Sequence, residues 1–393
     1  MANATAVALD RHGKLGVYMT GIIAGQSTLL GRALHFLSPL GPVWRNRVLD
    51  IHHDSLRSLF PVEAGARLVA LLAESIGLDS PSLYDAIFVA HDEAVARVSW
   101  SKDITAIYAY EDAALRTFQH ASARAIGRVW DLPIPHYRVV EQMWKTEQRQ
   151  WAGAATTGPV VTPEWKKHRK DSELALATVI SVASNHTRRS LENADVRVPV
   201  IVNPYGFPVF DFAPKEKPNQ GPFTVLSVGL QGLGKGTHYL LQAWKKAAIK
   251  DARLRLVGPM RLSQRFLQDY AGLFEHVAYV PKPKLGEEYR AADVLAFPTL
   301  GDGFGLVIQE AMCCGTPVIT TPASGGPESI TDGHDGWLVP SRDVDALVAR
   351  LRACAADRDQ LYTMGKLARA RAERWTWREA GDALVAALTR ELA

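Results

Sequence analysis

From residue 223 onward, short runs of β-branched and aliphatic residues alternate with longer segments whose apolar residues recur every three or four positions. This alternation constrains the chain more than any other feature. The runs are 223-FTVLSVG, 253-RLRLVG, 276-HVAYV, 293-DVLAFP, 317-PVIT and 336-GWLVP. Short apolar runs bounded by turn residues read as strands of a parallel sheet covered on both faces. Between them lie 237-THYLLQAWKKAAI, 284-KLGEEYRAA, 305-GLVIQEAMCC and 343-DVDALVARLRACAA, each patterned as an amphipathic helix. Strands alternating with helices in this way predict a doubly wound α/β domain over 223–372.

The first half carries runs of the same kind, at 14-KLGVYM, 47-RVLDI, 86-AIFVA, 104-ITAIYAY, 126-IGRVWDLP, 178-TVISVAS and 198-VPVIVNPYG. They predict a second domain of similar class over 1–210. The stretch 211-DFAPKEKPNQGP, rich in Pro and Lys, reads as a linker ending at 222. With 393 residues the chain is long enough for two such cores. Two domains facing each other leave a cleft, and ligands of open α/β sheets bind at the carboxyl ends of their strands.

Composition excludes several classes. Hydrophobic residues make up 47% and charged residues 22%, as in a soluble globular protein. A formal charge of +4 is too weak to imply nucleic acid. The three cysteines, Cys313, Cys314 and Cys354, have no metal-ligand spacing, and a reducing, cytoplasmic setting is expected. The segment 144-WKTEQRQWAGAATTGPVVTPEWKKHRK interleaves Trp144, Trp151 and Trp165 with basic residues. It reads either as a helix packing its tryptophans on a core or as a face for peripheral attachment to a membrane.

Two motifs carry chemistry. After the strand at 223, Gly229 and the Gly234-Lys235 pair approach the spacing of a phosphate-binding P-loop. Gly236 stands where a P-loop needs a metal-binding hydroxyl, so a P-loop-like NTPase is the lesser alternative. The glycine loop, Lys235 and the helix start that follows still make an anion site. After the strand at 293, the stretch 301-GDGFGLVIQEAM sets Asp302 on a loop and starts a helix near Phe304 or Gly305. Gly303 and Gly305 let a ligand approach the backbone, and the amides of Gly303 to Val307, with Leu306 between, face the cleft. Glu310, in the second helical turn, leans back toward the same ligand. One acid suits a sugar, the other a ribose. The pair Asp343 and Asp345 has the form of a metal-holding DxD but sits at a helix start, so it reads as a cap. The segment 332-DGHDG reads as a turn.

Around these residues the sequence resembles glycosyltransferase family 4, the retaining transferases of the GT-B fold, whose two Rossmann-like domains face each other across a cleft. Asp302-Gly-Phe-Gly through Glu310-Ala-Met to Gly315-Thr-Pro317-Val is similar to the family's carboxyl-terminal signature. The resemblance continues through 289-YRAADVLAFPT, 324-SGGPESITDGHDGWLVPSRDVDAL and 374-RWTWREAGDAL, and upstream through 203-NPYGF and 182-VASNHTRRSL, and it implies that a helix over 373–393 crosses back to the first domain. It implies transfer of a sugar, a hexose by expectation, from a UDP- or GDP-type nucleotide sugar to a glycan or lipid-linked saccharide. Anomeric configuration would be retained and no metal or other cofactor used, in polysaccharide or lipopolysaccharide assembly. Lys235 would meet the donor diphosphate, Asp302 the sugar hydroxyls and Glu310 the ribose. Gly25, in 24-AGQSTLLGRAL, would close on the phosphates beside Gly234. His136 or Asp131, in 128-RVWDLPIPH, would be the first domain's catalytic group. Asp302 is one methylene shorter than the family's usual Glu, and Leu230 stands where an arginine is common. Those departures keep open a second alternative, a non-catalytic scaffold of the same fold.

Overall fold

The computed structural model describes residues 2–20, 24–25, 48–49, 51–52, 55–59, 81–156, 158 and 161–393. In chain order the helices are α1 Ala2–Arg11, α2 Pro81–Arg97, α3 Leu115–Ser122, α4 Tyr137–Gln150, α5 Glu164–Leu176, α6 Asn185–Arg189, α7 Thr237–Ala247, α8 Gln264–Gln268, α9 Lys282–Ala291, α10 Leu306–Cys313, α11 Gly326–Ser329, α12 Val344–Ala356, α13 Arg358–Ala372 and α14 Trp377–Glu391.

The second half forms a six-stranded parallel sheet from β9 Phe223–Val228, β10 Ala252–Val257, β11 Glu275–Val277, β12 Val294–Phe297, β13 Val318–Thr320 and β14 Trp337–Leu338. The strand order is β11-β10-β9-β12-β13-β14. Chain order therefore runs outward in one direction from β9 and in the other from β12. That reversal is a topological switch point, where the loops after two adjacent strands part and leave a crevice. Both faces are covered, and side chains alternate between them with the two-residue period of a strand. Val294 and Ala296 pack with Leu240, Leu254 and Leu351 on one side. Leu295 and Phe297 pack with Ile308, Met312 and Val318 on the other.

The first half centres on a four-stranded parallel sheet, β5 Ala106–Tyr110, β6 Gly127–Leu132, β7 Val179–Val182 and β8 Val200–Val202, in that order. One face buries Trp130, Leu132 and Ile180 against Phe118 and Leu174. The opposite face packs Val129, Val179 and Ile201 against Leu384 and Leu388 of α14. Two short parallel pairs lie earlier in the chain. They are β1 Tyr18–Thr20 with β4 Leu56–Ser58, and β2 Ala24–Gly25 with β3 Val48–Leu49.

One expected strand is wrong. The run 86-AIFVA lies inside α2, which continues to Arg97. A short apolar run does not distinguish a strand from a helix segment, and here tertiary contacts decide. The buried Asp92 of α2 accepts from the amides of Arg116 and Thr117 at the start of α3, and pairs with Arg169 of α5 at 2.6 Å. The stretch 211–222 lies against the second sheet. Lys215 Nζ and Asn219 Nδ2 both donate to Ala292 O, and Arg358 donates to the carbonyls of Asn219 and Gly221. The chain crosses between the halves twice, side by side: Phe207 N donates to Trp375 O, and a Cβ on Gly206 would overlap the Thr376–Trp377 backbone.

Candidate functional site

The loops after β9 and β12 meet at the switch point. The β9 loop is shaped by Gln231, whose amide nitrogen donates to the carbonyls of Gly229 and Val257, both at 3.1 Å. Leu233–Lys235 then make one tight turn. Gly236 follows at φ 69°, where a Cβ would overlap Pro298 O, so only glycine fits. Gly234 O accepts from Leu300 N at 3.0 Å and Thr299 Oγ1 at 3.2 Å, tying the two loops together. The Thr237 hydroxyl, beyond the position a P-loop would use, donates to Gln231 Oε1.

The side chains of Lys235 and Asp302, 67 residues apart in sequence, form an ion pair in this crevice. Lys235 Nζ also lies 5.5 Å from the Phe297 ring centroid. Asp302 does two things at once. Its Oδ2 faces Lys235, while Oδ1 accepts from Phe304 N at 3.1 Å and so caps the turn before α10. The helix starts at Leu306 after Gly305 at φ 86°. Phe304 is buried, its ring filling the space that a Cβ on Gly325 would need.

Glu310 points elsewhere. It accepts from Tyr289 Oη at 2.7 Å, and no hydrogen bond or ion pair among the described residues joins it to Lys235 or Asp302. Burial raises its carboxyl above the usual range, against the pull of Tyr289 and Lys282. Two of the three residues expected at one ligand thus touch each other, and the third stands apart on α10.

The first-domain candidates separate from this pair. His136 caps α4 and is fully buried, not the solvated loop residue that its place after Pro135 suggests. Its backbone N donates to Ser190 Oγ at 2.8 Å, and its Nε2 lies 3.9 Å from Asp171 Oδ1. Burial, with Arg138 adding, pushes the imidazole down to about 4. Asp131 lies buried at the end of β6 and accepts from Tyr108 Oη, which also donates to Ser181 Oγ. Burial pushes Asp131 up to about 7. It lines a space of about 20 Å³ with Tyr110, Asn203 and Tyr205, flanked by Trp377, Ala380 and Gly381 of α14. A space of that size holds one water and no sugar. Ala24 and Gly25 form β2, and residues 26–34 of 24-AGQSTLLGRAL are outside the described residues.

Contacts that sequence reasoning missed join the two halves here. A Cβ on Gly303 would overlap Pro133 O, so the β12 loop and the β6 loop touch backbone to backbone. Gly303 O accepts from Ser184 Oγ at 2.6 Å and Thr187 Oγ1 at 3.2 Å. Glu328 Oε1 accepts from Asn185 N and Nδ2. The Ser-x-x-Thr spacing of 184–187 announces an N-cap, which Ser184 makes by accepting from Thr187 N. Nothing in it announces the partner across the cleft.

Trp144 and Trp151 pack on the core of the second domain, and Trp151 Nε1 donates to Tyr239 Oη. The open choice for this segment thus resolves toward packing for both, and Trp165 alone of the three is exposed. Asp343 caps α12 by accepting from Ala346 N, and Asp345 pairs with Lys246 at 2.5 Å. In 332-DGHDG, Asp335 accepts from Thr331 N and Asp332 from Leu338 N, a self-satisfied turn.

Residues 222–357 match the family Glycosyl transferases group 1. The D-inositol 3-phosphate glycosyltransferase of Kribbella flavida is 40% identical over 108 residues, 28% of this chain and 26% of that protein. The protein of the same name from Mycobacterium tuberculosis is 35% identical over 133 residues, 32% of this chain and 27% of its own. The matched segment thus spans about a quarter of the length of these relatives. Among solved structures, the sucrose-phosphate synthase of Thermosynechococcus elongatus superposes with a TM-score of 0.62 at 22% identity, over 80% of each chain. The HepE protein of Anabaena, solved in complex with UDP and glucose, superposes with a TM-score of 0.59 at 16% identity, over 95% of this chain and 99% of that one.

Proposed function

We propose that this chain, which belongs with the family 4-like glycosyltransferases through its group 1 domain at 222–357 and has the GT-B fold, moves a sugar from a nucleotide-sugar donor to a saccharide acceptor. The reading goes further than the family. The donor is a UDP- or GDP-type hexose, the anomeric configuration is retained, no metal takes part, and the acceptor is a glycan or lipid-linked saccharide held by the first domain, 1–210.

The observation that carries the reading is the Lys235–Asp302 pair at the switch point, between a glycine loop and the start of α10. Without a donor the lysine is neutralised by the protein's own carboxylate. A diphosphate takes over Lys235 Nζ, and Asp302 turns its released oxygen to a sugar hydroxyl. As the bond between the anomeric carbon and the diphosphate breaks, charge builds on the leaving group. A fixed ammonium and helix amides stabilise it without reorganising. Glu310, oriented by Tyr289, takes the ribose hydroxyls. Metal independence draws support from Asp343 and Asp345, which already serve as a helix cap and an ion-pair partner.

The scaffold reading has one observation in its favour, namely that Lys235 and Asp302 satisfy each other. A peripheral membrane contact would rest on Trp165, because Trp144 and Trp151 are taken by the domain contact and Lys166, Lys167, Arg169 and Lys170 of α5 are paired with carboxylates. A thermal-shift screen with UDP, GDP, ADP and their sugars separates the readings, since a bound ligand raises the melting temperature by mass action. Stabilisation that is lost in Lys235→Ala, together with turnover that falls in Glu310→Gln and survives a chelator, is expected. No stabilisation by any nucleotide would favour the scaffold.

A further inference from the structure

The first domain sets an imidazole beside the Lys235–Asp302 pair for which the reaction described above has no use. His186 sits in α6, and its neighbours fix it against the β12 loop. Ser184 donates to Gly303 O, and Asn185 bonds Glu328 through its amide and its side chain. A Cβ built on Gly301 would lie 4.0 Å from His186 Nε2, so the ring faces the residue directly before Asp302. That nitrogen is buried and has no hydrogen-bond partner among the described residues.

A second unsatisfied group, Tyr205, lines the space at Asp131 in the first domain. Tyr205 Oη is buried without a partner among the described residues, and its ring centroid lies 5.1 Å from that of Phe304. Both His186 and Tyr205 feel the charge of Asp302. An orphaned polar atom in a folded interior lowers stability, and His186 Nε2, set against the β12 loop, is placed to be satisfied by a ligand there.

We propose that His186 Nε2 hydrogen-bonds a hydroxyl of the sugar held at Asp302, so that the first domain completes a contact set that the shorter acid leaves incomplete. The inference rests on reading Lys235 and Asp302 as a nucleotide-sugar site. Burial, with Arg189 adding, holds the imidazole down at about 4, so it is neutral at ordinary pH. A neutral ring can donate to or accept from a hydroxyl. It also brings no second charge to compete with Lys235 for phosphate.

The test is calorimetric titration of UDP, UDP-glucose, GDP and GDP-mannose into wild type, Lys235→Ala, His186→Phe and His186→Gln. For whichever base binds, Lys235→Ala weakens both the diphosphate and its sugar. His186→Phe leaves the diphosphate within about twofold and weakens the nucleotide sugar about tenfold, the scale of one hydrogen bond to a buried group. His186→Gln, whose amide reaches the place of Nε2, recovers part of that loss and decides the matter if the Phe variant fails to fold. Should both His186 variants weaken the nucleotide sugar no more than the diphosphate, the inference is overturned while the donor site stands. Should none of the four ligands bind, or Lys235→Ala bind as wild type does, the donor reading falls and this inference with it.

Discussion

Two of the contacts between the halves among the described residues are built differently. Along α4 and the turn after it, Trp144, Trp151 and Ala154 enter the core of the second domain, and Ala155 forms a backbone bridge with Leu262. Glu147 is fully buried there, bonded to His238 and Tyr239 at 3.1 Å and to Arg342 at 2.6 Å. Burial alone would raise its carboxyl, but His238 and Arg342 outweigh that and hold it below the usual range. At the cleft, by contrast, the contact is a few polar bonds around Gly303 and Glu328. Separating the first contact re-exposes tryptophan surface, worth up to about 4–6 kcal/mol for each fully buried ring and less for these partly buried ones. Separating the second exchanges hydrogen bonds with water at about 1 kcal/mol each. The α4 contact is therefore expected to act as the pivot, and the Gly303 contact as the one that opens.

The largest effect should come from breaking the pivot. Glu147→Ala leaves His238 and Arg342 without their carboxylate, and a loss of about 3–5 kcal/mol is expected in denaturant unfolding. A loss under 1 kcal/mol would remove Glu147 from the pivot. Next in size is Gly303→Val, whose branched side chain cannot coexist with Pro133 O. Transfer should fall by about a hundredfold, roughly 2.7 kcal/mol, while the protein expands in solution scattering and still binds nucleotide. An unchanged scattering profile would mean that the cleft contact is not what holds the halves closed. Asp302→Asn frees Lys235 from its internal partner. UDP or GDP should bind about three- to tenfold more tightly while sugar transfer drops, and weaker nucleotide binding would argue against the exchange of partners. The smallest is Ser184→Ala, which removes one bond to Gly303 O and one helix cap, for about 1 kcal/mol in the open–closed balance read by the same scattering experiment.

The second domain was largely legible because each of its strands is a short apolar run between turn residues, and each loop carries its glycines where the backbone needs them. Even the meeting of Lys235 and Asp302 follows once β9 and β12 are neighbours, although only the sheet order makes them so. The first domain was less legible for physical reasons. The run 86-AIFVA fits either periodicity, and Asp92 is tied into α3 and α5 by contacts that no local pattern encodes. The tryptophans of α4 signal burial, but not that the core they enter belongs to the other half. His136 and His186 both look like loop histidines. One is fully buried beside Asp171 and the other faces Gly301 of the β12 loop, a difference set by which strand ends lie opposite each other.

The central claim is that Lys235 is held by Asp302 until a nucleoside diphosphate replaces it. Titrating UDP and GDP into wild type and Lys235→Ala by calorimetry tests that most directly. The account predicts binding of one nucleotide by wild type and at least about a tenfold loss in the variant. Equal affinity in the two proteins would contradict it.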